Sequence, residues 1–129
     1  MITRADFTVL VVDDLSAARY ATARALRAAG FNTVEARSGA AALELAGYAS
    51  AVVLDVHLPD LHGLEVCRLL RSKPATAALP IVNVSSVYVA EADQAAGKHA
   101  GADAYFVAPV DFDQLAAKLD ELLGRAAKD

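Results

Sequence analysis

Four short runs of the chain, Thr8 to Val12, Ala51 to Val56, Ile81 to Val84 and Ala104 to Val107, are nearly continuous in apolar and mostly β-branched residues. Runs of that length without polar alternation suit strands buried on both faces of a sheet. Between them lie stretches rich in alanine, leucine and charged residues at helical spacing, with stops at Gly30 and Gly101. Asn32 to Ala36 is more polar, as an edge strand requires, and Ser38 is placed to cap a small helix running to about Ala46. The last helix, from Asp111 to about Ala126, sets Leu115, Leu119 and Leu122 on one face and has an acidic first turn. Five strands alternating with five helices predict an α/β fold whose parallel sheet is covered on both sides. Such folds bind ligands beyond the carboxyl ends of the strands, where the strand order reverses.

The 129 residues fit one domain, 1–129, large enough to bury its apolar surface without disulfides. Although 56% of residues are hydrophobic, no apolar run approaches the roughly 20 residues of a membrane-spanning helix. The opening residues, Met1 to Thr8, carry mixed charges and lack the apolar core of a secretory signal. The expectation is a cytoplasmic chain with no membrane partner. Cys67, the single cysteine, lies in an apolar helical stretch and reads as a buried, inert thiol. Twelve basic against sixteen acidic residues give a net charge of −4 with no basic cluster, so direct nucleic-acid binding is not expected.

Asp13 and Asp14 follow the first run, Asp55 lies near the end of the third, and Ser85 ends the fourth, so all four converge on one rim. Asp55 interrupts an apolar strand, where an unpartnered carboxylate is costly. Three crowded carboxylates repel one another, and a hard divalent cation relieves the repulsion. Few protein carboxylates with room for water and phosphate oxygens suit magnesium better than calcium, and the want of clustered thiolates and imidazoles disfavours zinc.

Taken in order, Asp13-Asp14, the segment Val53-Leu54-Asp55-Val56-His57-Leu58-Pro59-Asp60-Leu61-His62-Gly63, Ser85 after Pro80-Ile81-Val82, and Gly101-Ala102-Asp103-Ala104-Tyr105 followed by Pro109 resemble the response-regulator receiver domains of two-component signalling. The resemblance spans nearly the whole chain, including the receiver module of hybrid histidine kinases among its relatives. It implies a flavodoxin-like, doubly wound five-stranded parallel sheet, order 2-1-3-4-5, flanked by five helices. It implies that Asp55 is the phosphoacceptor, attacking a phosphohistidine to form an acyl phosphate. Asp14 matches the direct magnesium ligand, Asp13 its companion acid, and the backbone carbonyl of His57 the remaining protein oxygen on the metal. Ser85 matches the switch hydroxyl and Tyr105 the switch aromatic. The implied partner is a histidine kinase or phosphotransfer protein. A homodimer through the fourth helix, fifth strand and fifth helix is a further implication, resting on analogy. No substrate turnover is expected beyond the domain's own phosphorylation and dephosphorylation.

Plainer roles exist for the same residues: Asp14 as a cap for a helix beginning near Ser16, Ser85 as a partner of backbone groups, and Tyr105 as packing. His62 and His99 read as solvated surface residues. The pattern also breaks at Ala108, where the family carries a lysine that pairs with the phosphoryl group; Lys98 and Lys118 lie in separate helices. A cation about 4 Å from an anion, at an effective dielectric near 20, contributes about 4 kcal/mol before desolvation. Atypical switching follows, and the alternative is a degenerate receiver that binds partners without phosphorylation. The His57 imidazole, two residues after the acceptor, either leans over the site or is a solvent-facing loop residue. An aspartyl-phosphate phosphatase is disfavoured for want of a cap domain, and flavin binding because the loop after the first strand is acidic.

Overall fold

The structure is a computed structural model and describes residues 2–128. Strands β1 (Thr8–Val12), β2 (Asn32–Ala36), β3 (Ala51–Asp55), β4 (Ile81–Ser85) and β5 (Ala104–Val107) alternate with helices α1 (Ser16–Ala28), α2 (Gly39–Leu45), α3 (Gly63–Ser72), α4 (Glu91–Ala100) and α5 (Phe112–Lys128). All pairings are parallel and the order is β2-β1-β3-β4-β5, as the resemblance implied. The order reverses between β1 and β3, which opens the crevice at their carboxyl ends.

The unbroken apolar runs supply two cores, because successive residues of a strand point to opposite faces. Val9 and Val11 of β1 join Val53, Val82, Leu115 and Leu119 beneath α1 and α5. Leu10 and Val12 join Val52, Leu54, Val66, Leu70 and Ile81 beneath α2, α3 and α4. Each fully buried Val, Leu or Ile contributes about 1.5–3 kcal/mol of transfer free energy. A one-residue slip in any central strand would exchange the two sets of side chains.

Local signals act where they were read. Ser38 accepts the Ala41 N–H at 3.1 Å, and α2 then tightens into a 3-10 turn at Ala46–Tyr48. Asp111 caps α5 by accepting the Asp113 and Gln114 N–H groups. Gly30 and Gly101 end α1 and α4 at φ +112° and +118°. β4 ends at Ser85, as read. Two expectations shift: β3 ends at Asp55 rather than Val56, and the β5 run, which by itself read as buried on both faces, has Val107 40% exposed at the sheet edge where the implied order put it.

Candidate functional site

Register places the acidic groups. Val12 of β1 lies opposite Leu54 of β3, so the next residues, Asp13 just beyond β1 and Asp55 at the end of β3, stand side by side. Carboxylate oxygens of Asp13, Asp14 and Asp55 all lie within 4.8 Å of one another. Asp13 is fixed by the Leu15 N–H, which donates to its Oδ1 at 2.9 Å, and Asp55 by the His57 N–H, which donates to its Oδ1 at 3.1 Å. Asp14 makes no cap: α1 follows Leu15 as its N-terminal residue, and the carboxylate bonded in that turn is Asp13.

Proximity and burial disturb the acids. The half-buried Asp55 carboxyl is pushed up from 3.8 to about 6, chiefly by loss of water and further by the charges of Asp13 and Asp14. Asp13 is raised for the same first reason, with the neighbouring Asp14 charge adding to it. Such strain on negative charge in a strand-end crevice is the electrostatic counterpart of a cation site. The donors are all carboxylate oxygens, which fit a hard divalent ion of the magnesium type; the one thiol, Cys67, is buried in another part of the molecule. His57 is exposed, as the plainer reading of its side chain had it, and its peptide sits against the Asp55 carboxylate.

The loop after β3 owes its path to Gly63. A Cβ there would stand 2.5 Å from the Val56 Cα and 2.7 Å from the Asp55 carbonyl oxygen, so only glycine allows the loop to fold back and donate the Gly63 N–H to the Val56 carbonyl. Asp60 fastens the same loop outward, its two oxygens accepting the Gly39 and Ala40 N–H groups at 2.9 Å each. Those bonds hold the Asp60 carboxyl below its ordinary range.

Across the rim the groups are neutral. Ser85 is buried, and its Oγ accepts the Val87 and Tyr88 N–H groups at 3.2 and 2.8 Å, the backbone role considered for it. Tyr105 is half-buried and donates its hydroxyl to the Tyr88 carbonyl at 2.6 Å; burial pushes its phenol up. Ala108 stands at the rim where its N–H donates to the Ser85 carbonyl, ahead of a cis peptide to Pro109. Lys118 pairs with Glu121 along α5, and Lys98 is exposed on α4. Between these parts lies a cavity of about 100 Å³ lined by Val56, His62, Leu64, Tyr88, Asp93 and Tyr105.

Several contributors were not picked out from the sequence. His62, read as a solvated residue, is exposed yet caps α3, its Nδ1 accepting the Leu64 N–H, and its ring lies 5.0 Å from that of Tyr88. Arg19 reaches the Asp13 carbonyl. Asn83, in register with Leu54 and Tyr105, is fully buried with neither side-chain polar atom bonded. Over it lies Gly97, where a Cβ would come within 2.7 Å of the Tyr105 ring and 2.8 Å of Asn83 Oδ1.

The chain has relatives among known proteins. Residues 9–120 match the family model of the response regulator receiver domain. The chain is 41% identical over 123 residues to a response regulator MprA from Mycobacterium sp. (strain KMS), covering 94% of the chain and 52% of that relative. It thus spans about half the length of the curated relatives it matches. A putative response regulator from Chloroflexus aurantiacus superposes with a TM-score of 0.86 at 30% identity, covering 92% of this chain and 98% of the other. A CheY-like receiver domain protein from Methanospirillum hungatei gives 0.85 at 25% identity, covering 95% and 97%.

Proposed function

Since the chain belongs to the response regulator receiver domain family of two-component signalling, we propose that it accepts a phosphoryl group from a phosphohistidine on Asp55, beside a magnesium ion held by Asp13 and Asp14. The observation that carries this reading is the meeting of three carboxylates from two strand ends, one of them pushed to about pKa 6. A bound divalent cation would offset the charge of the transferring phosphoryl group and of the carboxylates themselves. Asp14 and Asp13 would hold it, with the His57 carbonyl as the remaining protein oxygen.

The chain's own residues then do the rest. The Asp55 carboxylate, oriented by the His57 N–H at 3.1 Å, offers its free oxygen to phosphorus. The new P–O bond forms as the P–N bond to the donor imidazole breaks, and the imidazole leaves with a proton from solvent. Ser85 and Tyr105 would respond by exchanging their present backbone partners in the loop before α4 for the phosphoryl oxygens and a repacked position. Ala108 brings no ammonium to that side, so the response is weakly driven. The domain would act through protein contact, with a histidine kinase or phosphotransfer protein upstream, and would turn over no separate substrate.

Incubation with acetyl phosphate and magnesium, followed by intact-mass analysis, tests the reading. The expected result is a gain of one phosphoryl mass that Asp55→Asn abolishes. A gain that persists in Asp55→Asn, or no gain at all, overturns it, and the second result turns the reading to a receiver that works by binding alone.

A further inference from the structure

The acidic site is built on β1 and β3, yet both of its loops are fastened to the neighbouring β2–α2 edge, which brings no group to the chemistry. Asp60 ties the loop after β3 to the start of α2. Arg19 ties the loop after β1 to β2: its Nη1 donates to the Asp13 carbonyl at 2.9 Å and its Nε to Glu35 Oε1 at 3.2 Å. The side chain is only 17% exposed, so the fork is held rather than waving in solvent. Arg19 lies one turn into α1, where its own N–H donates to the Leu15 carbonyl. One side chain therefore joins the turn that carries Asp13 and Asp14, the helix behind it and the adjacent strand.

We propose that Arg19 is a positioning residue for the cation site, pinning the Asp13-Asp14 turn to β2 through the Asp13 carbonyl. This rests on the cation-site reading given above. Two fixed donors at set spacing are what a guanidinium supplies and an ammonium does not. Exposed ion pairs by themselves contribute little to stability, so the Glu35 contact is best understood as what aims the fork at the carbonyl. The sign of the effect separates positioning from charge. A positive group near a cation site opposes cation binding by Coulomb repulsion, so removing Arg19 tightens magnesium if charge is its only influence. Removing it weakens magnesium if it holds the turn.

The experiment is calorimetric titration of the full chain with magnesium chloride at pH 7.5. R19M keeps the aliphatic stem and deletes the donors; R24M removes an exposed charge from the same helix and serves as the control. The expected result is about 10-fold weaker binding in R19M, no change in R24M, and an intermediate value in R19K. Equal or tighter binding in R19M overturns the proposal, as does an equal loss in R24M. Should R19M fail to fold, R19K carries the test: weaker binding supports the proposal and wild-type affinity overturns it. Wild-type chain that binds no magnesium overturns the cation site and Arg19's part with it, whereas wild-type binding retained in R19M removes Arg19's part alone.

Discussion

At the ends of β1 and β3, three carboxylates crowd within 4.8 Å, and two of them, Asp13 and Asp55, accept N–H donors from their own turns. Across the rim, Ser85 ends β4, Tyr105 lies within β5 and Ala108 follows that strand, and the two hydroxyls are already engaged with the backbone of the loop before α4. One half of the rim crowds negative charge, with Asp13 and Asp55 both raised by burial and by neighbouring carboxylates. The other is at rest. On the proposed function, cation binding and acceptor chemistry belong to the first half and the second reads the result, with alanine rather than lysine at position 108 between them. Three substitutions or conditions would break or sharpen that contrast.

The largest expected effect comes from restoring the bridge. Ala108→Lys would bring an ammonium to the rim, where an ion pair at about 4 Å and an effective dielectric near 20 contributes about 4 kcal/mol before desolvation. In metal-free protein, carbon-detected NMR titration should show the Asp55 carboxyl falling from about 6 by roughly one pH unit or more. Phosphorylation of the variant should also alter hydrogen exchange in α4 more than it does in the parent. An Asp55 titration that Ala108→Lys leaves unmoved would show that the halves do not communicate through this position.

A smaller effect follows from pH. The folded chain keeps the Asp55 proton from the ordinary value of 3.8 up to about 6, an interval in which the unfolded chain has already released it. Folded stability without metal therefore falls as pH rises through that window, and the loss is complete above it; the raised Asp13 acts in the same sense. Thermal unfolding at pH 4 and pH 7.5 should show Asp55→Asn stabilising the metal-free protein by a few degrees at the higher pH and by much less at the lower. Magnesium should give the parent a similar gain at pH 7.5. Equal effects at both pH values would mean that the carboxylates are not frustrated.

How far the chain could be read follows the same division. The parallel sheet was legible because continuous apolar runs alternating with helices admit few arrangements; the strand order came from the resemblance to receiver domains, and the β5 run alone did not mark an edge, because an edge strand can carry the same apolar residues as a central one. Asp13, Asp14 and Asp55 were legible because a charge at the end of an apolar run demands an explanation. Arg19 and Asp60 were not, since each is an ordinary polar residue: Arg19 joins the Asp13 carbonyl to Glu35, 16 positions on, and Asp60 reaches back 20 and 21 positions to the start of α2. His62 was taken for a surface residue, although a side-chain acceptor just before a helical run is a capping signal. Asn83 could have been found, because Ile81-Val82-Asn83-Val84 breaks its apolar run as Asp55 breaks β3.

Asn83 also gives the smallest effect and the finest test of the quiet half. Its amide is fully buried with neither atom bonded, and leaving a buried polar group unmatched costs about 1–3 kcal/mol. Leucine has the same branching at Cγ and no need of a partner, so Asn83→Leu should stabilise the protein by about 1 kcal/mol, part of the gain being offset by its greater bulk against Tyr105 and Gly97. Denaturant unfolding measures this directly. The close approach at Gly97 docks α4 directly over this amide, so the substitution also tests how firmly the helix is held. Asn83→Leu should slow hydrogen exchange in α4 while leaving magnesium affinity at the carboxylates unchanged. A variant that shifts both, or that loses stability outright, would mean that the two halves of the rim are not separable and that Asn83 meets a need the apolar side chain cannot.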